Sequence, residues 1–436
     1  MFDVFCLGVA LAVGQAGPQP IPPTAAGKAT FGQEIPGRIP AALPTVGVPG
    51  IPVMQKKDAP DAPDEAKKDD EKKDDEKKPE EKGHLMKLLE GTPHGCWMEA
   101  NRISISGFTE VSYTHSNRGR INWPMLFQTP TNEFLLNQNW LTVEKTVDTE
   151  SKCPTWGFRV DAIVPGSDAR FVRQRNLFDG QTGRNQYDVY QFYGEYYDPN
   201  IAKGLDVKVG RMAVPYMAEV TPAVTNPLFS HSYAYYYNPF THTGIWATLT
   251  LDDSWSVGLI ASLGNDVFFG PSVSGMYVGI LQWTSTDKND TALLCVGLST
   301  GRFNVEQNFG NQNHVDLVYT HKFSDQFRYT LDTGFGWEKD IPNIAETTWS
   351  WMVNYLTYDF SDQVSGTTRF ETFHDAEGFK TGTEGTYLAG TAGLTFKPMN
   401  SVLFRPEVRY DYNTERKPFN GHHGLCTLAA DFIVKW

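Results

Sequence analysis

The chain lacks a long hydrophobic run: its longest apolar stretch, Val4–Val13, is ten residues. A membrane-spanning helix needs about 20, so a helical membrane protein is excluded, and the mean hydropathy of −0.39 agrees. Positive charge is in deficit, with 38 Lys and Arg against 51 Asp and Glu and a net charge of −13. Such a chain repels phosphates, which argues against a nucleic-acid partner. Cysteine is scarce, at positions 6, 96, 153, 295 and 426. There is no Cys-x-x-Cys pair for structural zinc and no dense disulfide framework. Neither a Gly-x-Ser-x-Gly elbow nor a His-Glu-x-x-His helix is present, so no nucleophile–base motif speaks for catalysis. The histidines are scattered, and the adjacent His422 and His423 fall in an expected loop as solvated residues. No metal and no other cofactor is called for.

What the chain does have is aromatic side chains, 13% of its residues, with only 20% charged. A transmembrane β-barrel has this profile, because its strands turn only every second side chain to lipid.

The first residues, 1–16, carry an apolar core ending in small residues, which reads as a secretory signal peptide. Residues 17–83 follow as a disordered arm. Its first part is rich in Pro and Gly, and residues 56–82 set nine lysines against twelve carboxylates. Such runs stay solvated, since no apolar surface offsets the entropy of ordering. The arm is a periplasmic spacer or a tether to the cell wall. Residues 84–101 form a lead-in, with a short amphipathic helix at His84–Glu90 that places Leu85, Leu88 and Leu89 on one face.

From Arg102 to the last residue the period is two. Trp156, Phe158, Val160, Ala162 and Val164 alternate with Gly157, Arg159, Asp161 and Ile163. In the last segment Cys426, Leu428, Ala430, Phe432, Val434 and Trp436 share a face. About sixteen such strands fit the remaining length. A soluble sandwich also alternates, but two features select a closed, all-β, antiparallel transmembrane barrel over residues 102–436. Long connections (116–133, 165–186, 214–242, 264–276, 301–313, 336–346, 374–384, 413–423) alternate with short ones. That is the rule for outer-membrane barrels, with short turns and both termini in the periplasm. Aromatics also gather at strand ends. Trp156, Trp255, Phe323, Phe327, Phe360, Phe396 and Trp436 adjoin short turns, while Trp337, Trp349 and Trp351 flank a long loop. Two interfacial girdles are expected.

Three stretches carry a family resemblance: VGRMAVPYMAEV at 209–220, NPLFSHSYAYYYNPFTHTG at 226–244 and GLTFKPMNSVLFRPEVRYDYN at 393–413. With the lead-in LMKLLEGT before ISISGFTEVSYT, the chain resembles the OmpL-like β-barrel porins over residues 85–436. The resemblance implies an outer-membrane porin that passes small hydrophilic solutes passively. A terminal aromatic is implied as the insertion signal read by the barrel-assembly machinery, with Phe432 and Trp436 in that position. Outer-membrane lipid surrounds such a barrel, and homotrimers are common among them. A structural or adhesive barrel with a plugged lumen is the alternative.

In a barrel the polar strand faces point inward, and sixteen strands leave more room than side chains fill. The expected pore-lining residues are Arg159, Asp161, Lys208, Arg328, Asp332, Arg369, Glu371, Arg405, Glu407, Arg409 and Asp411. They act as a transverse field on solutes, or pair and stiffen the wall. Arg211 sits on the apolar parity of its strand, which leaves its inward placement open, with the rim as an alternative. The loop over 214–243 is the longest and most aromatic. It is expected to fold into the barrel as a constriction, carrying Tyr216, Glu219, Phe229, Tyr233, Tyr235, Tyr236, Tyr237 and His242, its rings serving packing more than sugar stacking. Cys96 and Cys153 fall on the periplasmic side, where they are able to form a disulfide. Cys295 and Cys426 lie in strands as packing residues.

Overall fold

The computed structural model describes residues 83–120, 123–270, 273–300, 312–341 and 343–436. The expected signal peptide, and the arm as far as Lys82, lie outside the described residues. Two helices come first, α1 (His84–Leu89) and α2 (Pro93–Ala100). Thr92 caps α2 by accepting the Gly95 amide at 3.0 Å. None of the described helices is long and apolar enough to cross a membrane.

Sixteen strands follow. They are β1 (Ile103–Ser116), β2 (Phe134–Lys145), β3 (Thr155–Gly166), β4 (Gln186–Asp198), β5 (Leu205–Ala213) and β6 (Thr241–Thr250). Next come β7 (Trp255–Asn265), β8 (Met276–Thr284), β9 (Asp290–Ser299), β10 (Asn313–Lys322) and β11 (Phe327–Ile341). The last are β12 (Ala345–Ser361), β13 (Val364–Asp375), β14 (Gly385–Met399), β15 (Val402–Asn413) and β16 (Gly424–Lys435). Two short helices, α3 (Ala169–Val172) and α4 (Tyr233–Tyr237), interrupt long connections. Each strand pairs antiparallel with its sequence neighbours, and β1 closes on β16 from Phe108↔Lys435 to Ser116↔Thr427. Closure removes the free edges that an open sheet would expose.

The alternation turns apolar side chains outward. Trp156, Phe323 and Phe360 are more than half exposed beside the short turns. At the seam Gly107 exchanges backbone hydrogen bonds with Trp436 at 2.9 and 3.0 Å. A Cβ on Gly107 would meet the Trp436 ring at 2.3 Å, so only glycine lets the terminal indole lie across β1. The indole N–H then donates to Thr109 at 3.2 Å.

Several expectations are corrected. The strands reach well into the expected connection at 336–346, because β11 and β12 stay paired as far as Ile341↔Ala345. Gly334 and Gly336 belong to the strand and leave room for the facing rings of Trp351 and Trp349. Those two tryptophans are buried inside the barrel, at 3% and 1% exposure, and form no part of a girdle. On α1 the buried residue is Met86, whereas Leu88 is exposed. Met86 Sδ accepts the Ile105 amide at 3.4 Å, which turns that side of the helix to β1. Cys96 and Cys153 are both free and exposed; α2 fixes the first against β1 and the second stands just before β3. Cys295 is buried and free, but Cys426 is disulfide-bonded.

Candidate functional site

The connection between β5 and β6 turns into the barrel. Tyr216, Met217, Tyr233, Tyr235, Tyr236, Tyr237 and Phe240 have no exposed surface, and Phe229 has 5%. They join an aromatic core with Phe127 and Phe171, which come from the connections after β1 and β3. Tyr237 Oη reaches the Pro124 carbonyl at 2.7 Å. His231 stacks on Tyr235 with ring centroids 3.7 Å apart.

A loop of this irregularity brings many backbone groups out of water, and each needs a partner. The barrel wall supplies them from charged side chains. On β15, Arg405 donates to the carbonyls of Ala223 and Asn226 at 2.8 and 2.6 Å, and Glu407 accepts the amides of Phe229 and Ser230, both at 3.0 Å. On the same strand Arg409 donates to the His231 carbonyl, and Asp411 accepts the Tyr233 hydroxyl at 2.9 Å. From β13, Arg369 holds the carbonyls of Ser230 and His231 and pairs with Glu219 at 2.7 Å. Its neighbour Glu371 accepts the Tyr233 amide at 2.7 Å. From β11, Asp332 accepts the Ala218 amide and the Trp351 indole N–H, both at 2.7 Å. Three strands on from β15 around the barrel, Gln138 of β2 donates to the Thr221 carbonyl at 2.7 Å.

These charges are deeply buried: Arg369 and Arg409 have no exposure and Arg405 has 2%. An unpaired guanidinium there would cost several kcal/mol. Each is matched by carboxylates, Arg405 by Asp431 and Glu110, Arg409 by Asp411 and Glu371. Glu219 belongs to the loop itself. Burial alone would raise its carboxyl, but the Arg369 guanidinium, His231 at 3.6 Å and the Ser232 amide hold it down at about 2. Burial pushes the His231 imidazole down, against the pull of Glu219.

The expected pore-lining set therefore divides. Asp332, Arg369, Glu371, Arg405, Glu407, Arg409 and Asp411 do not face open solvent; they grip the loop, because the loop lies where a wide lumen was expected. Asp161 is buried in the wall, accepting Thr142 and Arg159. Arg328 stays half exposed, paired with Asp359 at 2.9 Å. Only Arg159 and Lys208 of the set line a cavity of 1040 Å³ near the short-turn end. Trp140, Tyr193 and Trp246 share its wall, while Val220, Pro222, Val224 and Thr225 of the loop bound it. Lys208 Nζ stands 5.2 Å from the Trp246 ring and 3.3 Å from both Glu195 and Asp206.

Arg211, near the long-loop end of β5, is fully buried. It pairs with Asp188 at 2.8 Å and caps α3 through the Val172 carbonyl, also at 2.8 Å. His242 lies in β6, and Tyr216 Oη is 2.9 Å from its Nε2. Sequence reading missed Gln138, Glu110, Asp431 and Asp266, which accepts the Phe240 and Thr241 amides at 3.0 and 2.8 Å. Glu110 and Asp431 lie on the inward parity of β1 and β16, a signal that was open to reading; nothing local marks Asp266.

Several solved outer-membrane proteins share this architecture. DcaP, an outer-membrane channel of Acinetobacter baumannii, aligns with a TM-score of 0.53 at 10% identity, over 77% of this chain and 96% of its own. The anion-selective porin from Comamonas acidovorans aligns at 0.53 and 9%, over 77% and 99%. OprB of Pseudomonas putida gives 0.54 and 11%, over 79% and 96%. At such identities the likeness speaks for the fold alone. No curated protein matches the chain. The family model described as "putative beta-barrel porin-2, OmpL-like" matches residues 102–435, nearly all of the barrel. The chain belongs to this family of porins and is an outer-membrane channel protein.

Proposed function

We propose that the barrel lets small hydrophilic solutes diffuse passively down their gradients, with the 214–243 loop as the constriction. The observation that carries this reading is the array of wall side chains, Arg369, Arg405, Arg409, Glu371 and Glu407, bonded to the loop backbone inside the barrel. A loop held at this many points keeps one shape, which a size filter requires. The cavity beside it gives solutes a vestibule. In the same reading the short turns and both chain ends face the periplasm. The arm up to residue 83 then extends into the periplasm after a cleaved leader, in reach of the cell wall. Trp436 with Phe432 serves as the signal to the barrel-assembly machinery, and three copies associate in the membrane.

A second reading has one observation in its favour. The aromatic core fills much of the interior, as a plugged structural or adhesive barrel would require. Planar bilayers separate the two. Purified protein that produces stepwise ion currents supports the channel with a constriction; inserted protein that stays silent supports the plug.

A further inference from the structure

One side of the 1040 Å³ cavity is built by five consecutive strands, β2 to β6. Across it runs a row of side chains that the sheet register sets side by side. Glu144 of β2 faces Arg159 of β3, Arg159 faces Tyr193 of β4, and Lys208 of β5 faces Trp246 of β6. All five line the cavity. The two cations of the row are each held between two carboxylates. Arg159 donates to Glu144 at 2.9 Å and to Asp161 at 2.8 Å, and Lys208 lies 3.3 Å from both Glu195 and Asp206. The Lys208 ammonium also stands 5.6 Å from the Tyr193 ring and 5.2 Å from the Trp246 ring. Lys87 of α1 and Lys435 of β16 share the lining, so four cations stand against these four carboxylates. The Trp246 indole N–H has no hydrogen-bond partner among the described residues.

Side-chain charges matched in this way give an ion little net pull, yet they keep strong donors and acceptors in fixed places. A hydroxyl donates and accepts at once. A solute with several hydroxyls therefore suits a wall on which carboxylates and cations alternate. The C–H faces of a sugar ring are flat and apolar, and they pack against aromatic rings, which bury large apolar area without needing a charge. Aromatic surface with a few placed polar groups is the common form of a small-molecule site. We propose that the row from Glu144 to Trp246 is a binding site for sugars, neutral polyhydroxylated rings, met by the solute on its way through the barrel. Trp246 and Tyr193 supply the ring contacts, and the Arg159 and Lys208 clusters supply the hydroxyl contacts. The proposal rests on the channel reading and deepens it by naming the class of solute and the wall that holds it.

Full-length protein in planar bilayers tests this with maltose as the probe. Maltose is expected to lower the ion current saturably. A poly(ethylene glycol) of similar mass, with few hydroxyls and no ring, is expected to lower it only in proportion to its concentration. Trp246→Leu should raise the half-blocking concentration of maltose roughly three- to tenfold, the scale of one aromatic contact, while Trp246→Tyr keeps most of the block. Saturation-transfer NMR on the unaltered protein in detergent needs no variant. There the C–H protons of maltose are expected to receive saturation, and those of succinate and putrescine, an anionic and a cationic solute, are not. Conducting channels that maltose does not block saturably would overturn the proposal and leave the channel standing. So would a block that ignores Trp246→Leu, or tighter block by succinate or putrescine than by maltose. Silence from the intact protein in bilayers would overturn the channel reading and this one with it.

Discussion

Two faces of the same lumen make opposite use of polar side chains. Along β13 and β15 the buried charges are matched almost group for group by loop carbonyls, loop amides and each other. Along β10 the imidazole of His314 is as deeply buried, and neither ring nitrogen has a hydrogen-bond partner among the described residues. Burial alone thus does not say what a lumen charge does. The first face fixes a loop in place, whereas the second leaves a buried imidazole without a hydrogen-bond partner.

The largest effect is expected where the grip is removed. Arg405→Met strips two loop carbonyls of their donor and leaves Asp431 and Glu110 facing each other, a loss of about 3–5 kcal/mol in barrel stability. Heat-modifiability on SDS gels or urea unfolding in detergent will read it. Next comes acid. The Glu219 carboxyl sits at about 2 in the folded chain against an ordinary value of 4.5. Its contribution is complete above about pH 4.5 and is lost as pH falls toward 2, to a limit of about 3 kcal/mol. Unfolding of the wild type should steepen over that window, while Glu219→Gln, weaker at neutral pH, should show a flatter profile there. A smaller loss, about 1 kcal/mol, is expected for Tyr233→Phe, which deletes the bond to Asp411 and keeps the ring. On the other face His314→Leu should shift stability by less than about 1 kcal/mol in either direction, since it breaks no bond. A large loss there would erase the contrast between the two faces.

Much of the barrel was legible because its rule is local. Alternation along each strand and the rhythm of loop lengths need only neighbours in sequence, and Trp156 and Phe360 lie where that rule puts them. The β11–β12 hairpin misled because Gly336 reads as a loop residue, although Gly334 reads as strand. Their reason is a tryptophan on the facing strand, which strand parity alone does not reveal. The lumen was half legible. Parity turned Arg369, Arg405 and Arg409 inward, and aromatic density marked the loop as ordered. The link between them spans well over a hundred residues of sequence, as from Arg369 to Glu219 or Arg405 to Ala223. Charges assigned to water were in fact assigned to backbone.

Most rests on the loop as the element that narrows the lumen. Its most direct test is the single-channel conductance of a variant lacking residues 222–240, compared with the full chain in the same bilayers. With α4 and its anchors gone, Arg369, Arg405 and Arg409 would face water, and conductance should rise clearly above that of the intact protein. Conductance unchanged by the deletion, in channels that still insert and remain heat-modifiable, would contradict the account.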